Sequence, residues 1–246
     1  MQTYYLTDAG KVRDHNEDNV TIVKNSNDEY LMAVADGMGG HRAGEIASSI
    51  AIELLSQNFT NLDTIGEKAN AVNWLRDIVH EINNNIFKHT SKNEDIKGMG
   101  TTLVVAILTK EYLLFGNIGD SSGYVLKDNK LYKVTKDHTL VNLLVSTGEL
   151  SEEDAKLHPR KNVLMRALGA NNPAEIDIFD VDMGVHSILL CSDGLTNMLS
   201  DEQIEKLLNN DDYTIEEKVI RLIKKSNIRG GTDNISIAYL VRESGE

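Results

Sequence analysis

Cysteine is nearly absent from this 246-residue chain, which has only Cys191. One cysteine rules out an internal disulfide and fits a reducing compartment. No Cys/His cluster offers a structural zinc site. Proline is almost as scarce, with Pro159 and Pro173 alone, and there is no Ser/Gly linker or low-complexity tract. No repeat of solenoid length is present. Basic residues are the minority, 25 against 38 acidic, giving a formal net charge of −13. That balance argues against a nucleic-acid backbone or an anionic membrane as the main partner. No apolar run approaches the roughly 20 residues of a membrane helix. The opening MQTYYLTDAGKVRD lacks the basic start and apolar core of a signal peptide. A cytoplasmic protein without membrane insertion is expected.

Several catalytic signatures are also missing. The residue six places after Cys191 is Asn197, not the arginine of a cysteine-based phosphatase. Cys191 ends an apolar run and reads as a packed core thiol. HEINN at His80 has Asn84 where a zincin needs its second histidine. No G-x-x-x-x-G-K-[ST] loop exists, so Walker-type nucleotide binding is unsupported.

What is present is a set of strand-like apolar runs near 2–7, 19–24, 30–35, 101–109, 111–118, 123–127, 175–182, 186–192 and 234–241. Short joins between several of them favour antiparallel pairing. Helical periodicity covers AGEIASSIAIELLSQNF, with Ile46, Ile50 and Leu54 as its stripe and Ala47, Ala51 and Leu55 beside it. It recurs in AVNWLRDIVHEINNNIFKH, through Leu75, Ile78, Val79, Ile82 and Ile86. Two more helices, DEQIEKLLNN behind Ser200 as N-cap and IEEKVIRLIKK, precede the last strand. Helices grouped in this way suggest layers over antiparallel sheets. Between 136 and 169 the pattern changes to two short helices and an irregular return. That stretch reads equally as a surface insertion or a substrate-facing flap.

Four apolar runs meet an aspartate beside glycine: Asp36 in VADGMGG, Asp120 in NIGDSSG, Asp193 in CSDGL and Asp233 in GGTDN. A lone Asp-Gly is ordinary turn chemistry. Four carboxylates brought together would repel, by roughly 4 kcal/mol for a pair about 4 Å apart at an effective dielectric of 20. If the four ends converge, they make a cation site, and oxygen-only ligands favour Mg²⁺ or Mn²⁺. VRDHNEDN adds Arg13, Glu17 and Asp18. It is either a solvated polar turn or acidic ligands beside an arginine able to fork onto phosphate.

The ordered set RDHNED, ADGMGGHRAGE, GMGTT, NIGDSS, the 136–169 segment, LLCSDGLT and GGTDNISI resembles the bacterial type-2C metal-dependent protein serine/threonine phosphatases. The resemblance runs from residue 13 to residue 237. It implies an α+β fold, a four-layer α/β/β/α sandwich of two packed antiparallel sheets flanked by helices. One domain would span 1–246, with a flap subdomain at about 136–169. It further implies two core ions bridged by Asp36, with the Gly37 carbonyl, Asp193 and Asp233 as the remaining direct ligands. Glu17 and Asp18 match residues that hold metal-bound waters. Asp120 with Asp193 matches a weaker third site, and Arg13 matches the phosphate-binding arginine. Many members have a histidine where Met38 stands, as general acid, and His41 is the nearest replacement here. Many also have arginine at the position of Ser122.

The expected reaction is hydrolysis of phosphoserine and phosphothreonine by a hydroxide bridging two metals that share Asp36. Expected partners are phosphorylated proteins, among them a Ser/Thr protein kinase, and the expected state is a monomer. The rival reading is a pseudophosphatase, the same fold acting as a binding module without turnover. A two-metal nuclease is disfavoured by the acidic charge.

Overall fold

The structure is a computed structural model describing residues 1–39, 42–92, 98–170 and 172–242. One sheet has the strand order β1 (Gln2–Asp8), β11 (Ile235–Val241), β10 (Ser187–Cys191), β7 (Ser122–Lys127) and β8 (Lys130–Lys133). The other runs β2 (Asp18–Lys24), β3 (Tyr30–Met38), β5 (Leu103–Leu108), β6 (Leu113–Ile118) and β9 (Asp177–Val181), with β4 (Gly100–Thr101) paired to the end of β3. Every strand pairing is antiparallel.

Strict period-two burial builds the layers. Met32 and Val34 of β3 and Val104, Ala106 and Leu108 of β5 face Ile188, Leu190, Ala238 and Leu240 of the other sheet. The alternate residues Leu31, Ala33, Leu103, Val105 and Ile107 face α1 (Ala43–Thr60) and α2 (Lys68–Lys92). On the far side, Leu189, Ile235, Ile237 and Tyr239 pack under α5 (Asp193–Thr196), α6 (Asp201–Leu208) and α7 (Ile215–Ile228). The strands are buried on both faces, so they read in sequence as continuous apolar runs. The four-layer α+β sandwich is thus the observed architecture.

Some elements depart from expectation. In α1 the buried stripe is Ala43, Ala47, Ala51, Leu55 and Phe59, while Ile46, Ile50 and Leu54 lie half-buried at its margin. Alanines in its first three turns let this helix lie close on the sheet, so Ile46, Ile50 and Leu54 do not mark the inward face. The α2 stripe is buried as anticipated. Ser200 caps α6, its N–H donating to Gln203 Oε1 at 3.2 Å. The expected strand at 101–109 is broken at Thr102 into β4 and β5. Between β8 and β9, α3 (Leu140–Ser146) and α4 (Glu152–Leu157) form the two short helices of the insertion, which returns past an isolated bridge between Thr139 and Leu164. Among the described residues no helix is long and apolar enough to cross a membrane.

The β2–β3 hairpin is anchored by Glu29, a buried carboxylate. It accepts hydrogen bonds from Ile65 N at 2.7 Å, Thr64 Oγ1 at 2.9 Å, Asn27 Nδ2 at 3.1 Å and also Asn25 Nδ2. Burial alone would raise its pKa, but the Ile65 N–H and the three side-chain donors together hold it below the ordinary value. A depressed carboxylate stabilises the fold above its unfolded pKa, and that contribution is lost as pH falls through the folded value. Glu29→Ala orphans several donors and is expected to cost about 3 kcal/mol. Urea unfolding at pH 7 should register this loss, and a change below about 0.5 kcal/mol would rule out the anchoring role.

Candidate metal centre

Asp18 and Asp36 stand directly opposite each other in the β2–β3 ladder. Like charges in that relation destabilise a sheet pair. Asp36 is not at a strand end as the sequence suggested, because β3 continues to Met38 by pairing Gly37 with Thr101 and Met38 with Gly100 of β4. Its main chain is held on both sides: Asp36 N donates to Thr102 Oγ1 at 3.0 Å, and Asp36 O accepts from Thr102 N at 2.9 Å. Gly37 is required by close packing, since a Cβ there would lie 2.2 Å from Gly44 O and 2.5 Å from Glu17 O.

The second sheet supplies Asp193, the first residue of α5 just beyond β10, and Asp233, two residues before β11. Asp120 lies in the β6–β7 turn, and Arg13 and Glu17 in the β1–β2 connection. The four aspartates converge. Arg13, Glu17, Asp36, Gly37, Asp120, Asp193 and Asp233 all line one cavity of about 530 Å³ at the edge of the two sheets. Asp18 sits beside it, nearly inaccessible, with Oδ2 accepting from Ser192 Oγ at 2.6 Å. His41 lies outside the described residues.

The electrostatics of this floor are unfavourable to anions. Burial pushes Asp18 up to about 7, assisted by the charges of Asp193 and Asp233 and opposed by hydrogen bonds from Ser192 and Ser236. Burial, followed by the charges of Asp18, Asp193, Asp120 and Asp233, holds Asp36 well above the usual carboxylate range. Burial with Asp193 and Asp137 raises Asp120 to about 7. Burial and Asp233 raise Asp193 to about 6. Burial raises Glu17 as well, although Arg13 opposes it. Arg13, half exposed at the mouth, donates from NH2 to Asp233 Oδ2 at 2.8 Å.

These residues fit divalent cations. Glu17 Oε1 and Asp18 Oδ1 are buried acceptor oxygens with no hydrogen-bond partner, a costly state for a carboxylate unless a positive charge faces it. The donor set is all oxygen, as hard cations require. Among the described residues no three Asp, Glu, His or Cys side chains are arranged to hold one ion unaided. Instead Asp233 turns to Arg13, Asp18 to Ser192 and Asp193 to Asn197. That is compatible with Mg²⁺, which keeps several waters and takes only one or two carboxylates directly.

Residues 10–222 match the family described as Protein phosphatase 2C. The chain belongs to the protein phosphatase 2C family. It is 43% identical to the serine/threonine phosphatase Stp of Listeria welshimeri over 243 residues, which are 98% of this chain and 96% of that one. It is also similar to two solved structures. The Streptococcus agalactiae serine/threonine phosphatase has TM-score 0.92 and 35% identity, with 98% of this chain and 99% of that chain covered. Stp1 of Staphylococcus aureus has TM-score 0.93 and 34% identity, with 99% and 95% covered. The family is metal-dependent.

This protein phosphatase 2C chain also recruits residues to which the sequence gave no role in the site. Asn234 Oδ1 accepts from Glu17 N at 2.9 Å, while its Nδ2 donates to Ala9 O and His15 O, so it locks the Arg13–Glu17 connection to β11. Asn197 Nδ2 donates to Asp193 Oδ2 at 2.9 Å. Met38, Leu164, Met165 and Arg166 line the same cavity. Asn197 and Asn234 fall in or next to the quoted motifs, so proximity to an aspartate was the available signal. Ser122 is buried at the start of β7 beside Cys191. Cys191 is fully buried, which pushes its thiol up and suits a core residue.

Proposed function

We infer that this cavity is the active site of a metal-dependent protein phosphatase that removes phosphate from serine and threonine in phosphorylated proteins. The supporting observation is the gathering of Arg13 with Glu17, Asp36, Asp120, Asp193 and Asp233 around one cavity. In this reading Asp36, the Gly37 carbonyl, Asp193 and Asp233 hold two Mg²⁺ or Mn²⁺ ions. Glu17 and Asp18 act through water, and Asp120 with Asp193 holds a weaker third ion. Bound there, such cations make hydroxide available near neutral pH and offset the charge developing on the phosphoryl group.

The remaining work falls to the chain. Arg13 sits at the cavity mouth, already paired with Asp233, and can fork onto two phosphoryl oxygens to orient them. Thr102 fixes the Asp36 backbone, so that carboxylate approaches from a rigid element. Serine alkoxide is a poor leaving group and needs a proton donor. Met38 cannot supply one, so His41 is assigned that role. The 136–169 segment is the flap of a single domain covering 1–246. The enzyme works as a cytoplasmic monomer and opposes a Ser/Thr protein kinase, whose phosphorylated form is one of its substrates. A pseudophosphatase is not favoured, because a retired site has no physical use for mutually repelling acids crowded around one cavity.

Phosphate release from a phosphothreonine peptide should require Mn²⁺ or Mg²⁺ and fall by at least about 10³-fold in excess EDTA, recovering when metal is returned. Undiminished hydrolysis in EDTA would overturn the assignment.

A further inference from the structure

The insertion leaves and rejoins the sandwich at one narrow neck. His138 O accepts from Met165 N at 2.7 Å, and Leu140 N donates to Val163 O at 2.8 Å, so the two ends run as a short ladder. The His138 side chain lies beneath it, only 8% exposed. Its Nδ1 accepts from Gly119 N at 3.2 Å, and its Nε2 is 3.0 Å from Asp177 Oδ2. A ring nitrogen that accepts a backbone N–H carries no proton, so the proton is on Nε2 and is donated to Asp177.

Each contact leads to the cavity by a different route. Gly119 precedes Asp120 and has φ +105°, and a Cβ there would lie 2.5 Å from Thr102 Cγ2, so its turn has little freedom. Its carbonyl accepts from His138 N at 2.8 Å, which makes the contact with His138 two-point. Asp177 opens β9, and its Oδ1 accepts from Arg166 NH1 at 2.9 Å. Arg166 lines the cavity. Burial would raise Asp177, but the bonds from His138 and Arg166 outweigh it and keep the carboxylate below its ordinary value.

We propose that His138 is a positioning residue with two separable arms. The Nδ1 arm fixes the turn that carries Asp120, and the Nε2 arm, through Asp177, fixes Arg166, which brings the returning end of the insertion to the cavity. His138 itself touches no reacting group. The proposal rests on the phosphatase reading of the cavity and adds a link between the insertion neck and two residues that line the site, Asp120 and Arg166.

The arms can be cut one at a time. In His138→Asn an amide oxygen can take the Nδ1 position and keep the Gly119 bond, but nothing reaches Asp177. In His138→Gln the longer amide can donate to Asp177, but the Gly119 N–H loses its acceptor. With a phosphothreonine peptide, His138→Asn is expected to raise KM about tenfold and change kcat less than about threefold. Asp177→Asn should reproduce that pattern. His138→Gln is expected to lower kcat about tenfold on the peptide and on p-nitrophenyl phosphate alike, with KM within about threefold.

Amide exchange at Gly119, read by NMR, should be slow in wild type and His138→Asn and at least about tenfold faster in His138→Gln. This last measurement needs no turnover, so the role of His138 stands or falls separately from the phosphatase reading. Identical kinetic patterns in the Asn and Gln variants, tracking their melting temperatures, would reduce His138 to a structural residue and overturn the proposal. Unchanged Gly119 exchange in His138→Gln would do the same.

Discussion

Asp36→Asn is expected to abolish nearly all turnover, by about 10³-fold or more, and at the same time to make the metal-free protein more stable. The loss follows from removing the carboxylate assigned to both core ions, which takes away charge stabilisation at the reacting group. The gain follows from the same side chain's surroundings. Asp36 is half-buried in the cavity floor, and burial together with the charges of Asp18, Asp193, Asp120 and Asp233 raises its pKa. An asparagine of the same shape carries no charge to repel them. Relief of one such contact is worth about 2–4 kcal/mol, or a rise of roughly 5–10 °C in melting temperature for a chain of this size. Calorimetry in EDTA and a peptide assay in Mn²⁺ test the two halves. Turnover within tenfold of wild type, or a lower melting point in EDTA, would contradict the picture of an ion-demanding floor.

Without divalent metal, stability should fall as pH rises from about 4 to about 7, the opposite of the usual behaviour of paired carboxylates. The sign follows from proton counting. Asp18 and Asp120 are raised to about 7 and Asp193 to about 6, all above their unfolded values. Between those limits the folded chain holds more protons than the unfolded one, so raising the pH favours unfolding. Each group contributes on the order of a few kcal/mol across that window. The melting temperature in EDTA should therefore drop by roughly 15 °C between pH 5 and pH 8. Excess Mg²⁺ should remove or reverse the slope, since cations bind the ionised acids of the folded state alone. The Asp36→Asn variant should show a shallower slope, which separates the floor from the general repulsion of a chain at −13. A flat profile for the metal-free wild type would mean that these acids are not strained.

Much of this arrangement was legible in the residues, for reasons that also explain the gaps. Strands β3, β5, β6, β10 and β11 are apolar on both faces and announce themselves as uninterrupted runs. The edge strand β8, KLYK, is polar and four residues long, so neither length nor pattern marks it. β4 is two residues, visible only through its pairing with Gly37 and Met38. For α5, the four residues of DGLT are too few to show a helical period. The aspartates were conspicuous because each breaks an apolar run beside glycine. Their convergence was not readable from spacing, since Asp36 belongs to one sheet and Asp193 and Asp233 to the other. It came from resemblance. Ser192, Asn197 and Asn234 work by orienting a neighbour's carboxylate or backbone, and a single polar side chain of that kind leaves no periodic trace.

The strand order has a consequence for how the enzyme comes into being. β11 is the last of the described strands, yet it lies inside its sheet, between β1 and β10. Asp233 and Asn234 immediately precede it. A chain still emerging from the ribosome without residues 233–241 therefore lacks an internal strand, the partner of Arg13 and the clamp on Glu17. Competence is expected only once β11 has slotted between its neighbours, because that step delivers Asp233 to Arg13 and Asn234 to Glu17 together.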